Sequence, residues 1–151
     1  MQTTLSFFLP YVILAYGLGA LISFLYGTYQ TSIRKNPYGL TPSLILYGIF
    51  VWGDAVLIGA FWAAVSLFSF ATQNVGFFMF AQSIFWMVRS AGEVIYWLLQ
   101  QFAETKRDTP ESLRFHTFFP GESIWFAYQV MWQLVFVGAS LSLVYLIGLA
   151  Y

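Results

Sequence analysis

The chain has 151 residues, of which 60% are hydrophobic, 22% aromatic and only 8% charged, and its mean hydropathy is +0.73. A water-soluble domain carries roughly 25% charged residues, so this composition excludes a soluble globule and points to a surface that faces lipid. Six basic residues balance six acidic ones, Cys is absent and His116 is the single histidine; nucleic-acid binding, disulfides, thiol chemistry and haem or transition-metal cages are excluded together, and no cofactor is expected.

A membrane-crossing helix needs about 20 mainly apolar residues, and four stretches meet that requirement, predicting an all-α polytopic protein with a four-helix transmembrane bundle. The first covers residues 7–29. No Lys or Arg precedes it and its apolar run exceeds a signal-peptide core, so it is expected to be a mature helix. Ala15, Gly19, Ser23 and Gly27 form a stripe of small residues along it, which predicts a helix-packing seam. Loop 30–43 follows, with Arg34, Lys35 and the turn former Asn36-Pro37-Tyr38-Gly39; Thr41-Pro42 then supplies an N-cap and a first-turn proline.

The second span is expected over residues 44–71, with Ala55, Gly59 and Ala63 as its small stripe. The link Thr72-Gln73-Asn74 is short enough to impose an antiparallel hairpin with the third span, 75–101. Loop 102–123 contains Thr109-Pro110-Glu111, which predicts a short helix over Ser112 to Phe118 bearing Phe115 and Phe118 on one face with Phe119 beyond it. His116 lies in this loop as a surface residue. The fourth span covers residues 124–151.

Every basic residue outside a span (Arg34, Lys35, Lys106, Arg107 and Arg114) falls in loops 30–43 and 102–123. Basic loops stay on the cytoplasmic side, so both termini are expected outside a multi-pass protein of the cell (inner) membrane.

Nine of the twelve charges lie in loops, and the remaining three are Asp54, Arg89 and Glu93. A charge at mid-membrane costs at least about 2.5–3.5 kcal/mol, so these three require partners. Arg89 and Glu93 stand i,i+4 on one helix face. In an antiparallel hairpin centred on Gln73, facing residues have numbers that sum to about 146, which sets Asp54 opposite position 92. Tyr96, on the same polar stripe as Gln82 and Gln100, and Gln129 and Gln133 of the fourth span are expected to complete the hydrogen bonding. Two carboxylates against one guanidinium leave a surplus negative charge, so one carboxyl should hold a proton or face a cation.

The trio therefore predicts a centre that binds or translocates a proton, cation or small polar solute. The alternative is a structural or assembly subunit of a larger membrane complex, with the trio as an interhelix pin. A membrane enzyme acting on a lipid or quinone is a third class. It has the least support, because no nucleophile stands beside a base and no glycine-rich phosphate loop is present. The expected partners are the lipid bilayer and either further copies of the chain or a larger membrane complex.

Overall fold

The computed structural model describes residues 2–150, with side chains described for residues 8–149. Helix makes up 77% of it, and no strand occurs among the described residues. The long helices are α1 (Gln2–Thr28), α2 (Trp52–Ala71), α3 (Val75–Phe102) and α4 (Ser123–Ala150). Tyr151, the expected end of the fourth span, lies outside the described residues. Among the described residues, three segments are long and apolar enough to cross a membrane: Phe8–Ile33, Trp52–Ala71 and Ser123–Leu149. Together with the composition, they make this a membrane protein. Helix α3 equals α4 in length, at 28 residues each, but its polar side chains keep it out of that group.

The chain divides into two compact units, Met1–Ala81 and Gln82–Tyr151. In the first, α1 and α2 are the most closely packed helices. Small residues permit this, since lipid offers no hydrophobic drive and contact depends on backbones approaching. A Cβ on Gly59 would stand 2.9 Å from the Phe24 nitrogen and 3.0 Å from the Ala20 carbonyl oxygen. One on Gly17 would meet Ser66 Cβ at 2.5 Å and one on Gly27 would meet Ala55 Cβ at 2.6 Å. The seam on α1 thus runs through Gly17, Ala20, Ser23 and Gly27. Ala15, expected there, is exposed, and Gly19 abuts the Tyr47 hydroxyl instead.

The second span does not start at residue 44. Helix α2 begins at Trp52, and residues 42–47 form a separate 3₁₀ turn, Pro42–Tyr47, ended by Gly48 at φ 75°. That left-handed backbone suits glycine. Residues 40–51 make an excursion whose neck is closed by backbone bonds: Thr41 donates to Phe50 (2.9 Å), Trp52 to Gly39 (3.1 Å) and Gly53 to Pro37 (2.8 Å). The tip lies along α1 and α2. Trp62 Nε1 donates to the Tyr47 carbonyl (3.0 Å), the Tyr16 hydroxyl to the Leu46 carbonyl (3.3 Å) and the Tyr47 hydroxyl to the Tyr16 carbonyl (3.3 Å). Thr41 Oγ1 donates to the Ile49 carbonyl (3.1 Å). The rings of Tyr16 and Tyr47 lie 4.5 Å apart, with Trp62 edge-on to Tyr16 at 5.6 Å.

At the end of the same unit, Asn74 Oδ1 accepts the Phe77 N–H (2.9 Å) and caps the start of α3, the role Asn favours at a helix N-terminus. At the opposite end of the unit's helices, Arg34 Nε donates to the Tyr29 hydroxyl (3.4 Å), a bond that pushes the guanidinium pKa up further.

In the second unit, α3 and α4 meet through larger side chains. Trp97 stacks on Tyr128 at 4.7 Å, and the hydroxyls of Ser83 and Ser142 are 2.9 Å apart. The helix expected over residues 112–118 does not form. A single 3₁₀ turn, Pro110–Ser112, ends at Leu113 in extended backbone, and Phe115 takes φ 67°. Either conformation stops an α-helix.

Candidate functional site: the polar face of α3

Gln82, Arg89, Glu93, Tyr96 and Gln100 recur at helical spacing and share one face of α3. Ser83, Ser90 and Gln101 extend it on one flank. This face is the sheltered one: Ser90 is fully buried and Gln100 is 3% exposed. The opposite face carries Val88, Ile95, Leu99 and Phe102, at 63%, 57%, 62% and 79% exposure. A helix in water turns its apolar stripe inward and its polar face out. Helix α3 has the reverse arrangement.

Arg89 Nη2 lies 3.4 Å from Glu93 Oε1, and the two side chains are 26% and 16% exposed. The ion pair expected from their spacing is therefore present. Two turns before Arg89, Gln82 Oε1 accepts the Trp86 indole N–H (3.0 Å). Ser90 donates back to the Trp86 carbonyl, so its hydroxyl is satisfied within the helix.

Other expected members of the centre have local partners. Asp54 is in the first turn of α2, and its Oδ2 accepts the Phe50 N–H (3.1 Å), bracing the neck of the 40–51 excursion. Because α2 starts at Trp52, Asp54 stands at a helix end and not at the mid-span depth expected for a helix beginning at residue 44. The Tyr96 hydroxyl donates to Asp108 Oδ2. Gln129 Oε1 accepts from Gln101 Nε2 (2.7 Å). Gln133 is exposed on α4. Among the described residues no charged side chain is fully buried, which corrects the expectation of a buried Asp/Arg/Glu site. The physical reason is local: the pair lies on the surface of a single helix and Asp54 lies at a helix terminus.

The sequence reading missed a polar knot where α3 ends. Lys106 Nζ donates to the carbonyls of Gln100 (2.9 Å) and Gln101 (2.8 Å) and stands 4.8 Å above the Trp125 ring. Gln100 Nε2 donates to the Asp108 carbonyl (3.0 Å), and its Oε1 accepts the Arg107 N–H (3.3 Å). Helix C-termini leave carbonyls unpaired and favour a cation there. A lysine four residues beyond Phe102 was the available signal. Among the described residues, no group of three or more His, Cys, Asp or Glu is placed to hold a metal.

Comparison with protein-family models, with curated proteins and with solved structures found no match.

Proposed function

We propose that α3 is a fourth membrane-crossing helix and that its polar face binds, or passes along the protein, a proton, cation or small polar solute. The observation that carries this reading is the inversion of α3, with apolar residues exposed and an Arg89–Glu93 pair on the sheltered side. Lipid as the outer solvent accounts for that inversion, and an ionisable pair held within a bilayer marks a functional site. Tyr96, Gln129 and Gln133 contribute hydrogen-bonding groups along the route. With four crossings and the basic loops inside, both termini are extracytoplasmic in a cell (inner) membrane.

Reconstitution into liposomes with an entrapped pH indicator tests the proposal, using a potassium diffusion potential to drive protons. Wild type is expected to conduct. Glu93→Gln should lower the flux by about tenfold or more, the scale on which a required proton carrier acts. Asp54→Asn keeps an acceptor for the Phe50 N–H while removing the charge. It should therefore fold and conduct as wild type, since Asp54 braces the neck of the 40–51 excursion. Equal flux in Glu93→Gln and wild type would sink the proposal for protons.

A second reading, a subunit of a larger membrane complex, draws on α4. Only 6% of its most apolar stretch is buried within the chain, so most residues of that stretch are partly or fully open to lipid or to further helices. That reading predicts a stoichiometric partner on purification in mild detergent and no flux from the isolated chain.

A further inference from the structure

We infer that residues 40–51 are a re-entrant segment. They enter the bilayer from the side that holds Arg34 and Lys35, reach about mid-depth, and return to the same side with their outer residues against lipid acyl chains. The inference rests on α1 and α2 crossing the membrane and is independent of the charged face of α3.

Depth follows from the contacts of the tip. Trp62, which donates to the Tyr47 carbonyl, is ten residues into α2 from Trp52. At about 1.5 Å per residue, and with helical side chains leaning toward the N-terminus, the tip lies about 10–15 Å along the span. Tyr16, on the other flank, is 17 residues from Ile33 in the Phe8–Ile33 span, about 25 Å at the same rise, so the tip lies within the span counted along either helix. The hydrocarbon core is about 30 Å thick, so the tip reaches close to its middle.

Non-helical backbone survives at that depth only when its polar groups are satisfied by protein. This segment meets the condition. The carbonyls of Leu46, Tyr47 and Ile49 accept from Tyr16, Trp62 and Thr41 side chains. Within the segment, Leu44 and Gly48 donate to Thr41 and Ile45 (both 2.9 Å), and Thr41 pairs with Phe50 across the neck. A loop resting in water would not need three separate side chains to cover its carbonyls.

The burial pattern identifies the occupant of the outer side. Thr41 and Ile49 are buried at 2% and 0%, whereas Ile45 and Leu46 are 50% and 75% exposed. All three carbonyls are covered while two aliphatic side chains at mid-span depth are open, so the chemistry presented outward is hydrocarbon. Acyl chains match it.

The chain contains no Cys, so single cysteines report without background. Tyr38→Cys, Ile45→Cys and Leu46→Cys are made in the full chain and reconstituted in phosphatidylcholine vesicles. A membrane-impermeant maleimide, applied to both faces, should label Tyr38→Cys readily. Ile45→Cys and Leu46→Cys should react more than about tenfold more slowly, as expected of a thiol held away from water, and all three should label fully in SDS. A lipid-soluble fluorophore on Leu46→Cys should be quenched by a nitroxide at mid-acyl chain. Labelling of Leu46→Cys as fast as Tyr38→Cys would overturn the inference. So would slow labelling without acyl-chain quenching, which would mean that protein covers the tip.

Discussion

Arg89→Ala is expected to destabilise the chain in the bilayer by about 1–3 kcal/mol, the cost of removing a charged partner from a half-sheltered pair. Glu93 remains on the inward side of α3, 3.4 Å from where the guanidinium stood, and loses that counter-charge. The double variant Arg89→Ala/Glu93→Gln should recover most of the loss, because the carboxylate that lost its counter-charge is replaced by a neutral amide. Unfolding in mixed micelles with rising SDS, followed by tryptophan fluorescence, measures both. A loss below about 1 kcal/mol for the single variant would place the pair in water, where ion pairs contribute little.

Trp62→Ala carries the other large expected effect. Trp62 is fully buried, and removing a core indole costs about 3–5 kcal/mol. It also deprives the Tyr47 carbonyl of its donor. Trp62→Phe separates the two contributions: it keeps most of the packing against Tyr16 and Phe78 and loses only the hydrogen bond, for about 1–3 kcal/mol. The same SDS titration reads both variants. Equal losses for Phe and Ala would assign the whole effect to the hydrogen bond, and no loss for Phe would leave the tip held by packing alone.

Much of the helical content was legible from apolar run lengths, and so was the helix break at residues 72–74. The start of the second helix was not, although a trace of it was present. Residues 44–71 make a run longer than the roughly 20 residues one crossing needs, and Gly48 falls within the surplus. A run of apolar residues has no period that separates a re-entrant turn from a helix. What decides the matter is tertiary: the Trp62, Tyr16 and Thr41 side chains that satisfy the turn's carbonyls.

The α1 seam shows the same limit. A period-four stripe through Ala15 and Gly19 and a neighbouring one through Gly17 and Ala20 are both rich in small residues. Only the approach of Ser66 to Gly17 and of Gly59 to Ala20 selects between them.

At the candidate site, the Arg89–Glu93 pair was legible because i,i+4 spacing is a property of one helix. The place of Asp54 depended on where α2 begins, and that error carried over to its expected depth. Tyr96 and Gln129 bond to Asp108 and Gln101, partners that composition and spacing do not distinguish from the ion pair. Loop 102–123 likewise hid the Lys106 knot, since only the folded helix end presents the carbonyls of Gln100 and Gln101 together.

The central claim is that α3 crosses the bilayer with its apolar face in lipid and its charged face sheltered. A spin label on Val88→Cys, the most exposed position beside Arg89, tests it by collision with oxygen, which concentrates in hydrocarbon, and with a water-soluble nickel chelate. Strong relaxation by oxygen and almost none by nickel is the expected result. Strong relaxation by nickel would put that face of α3 in water and contradict it.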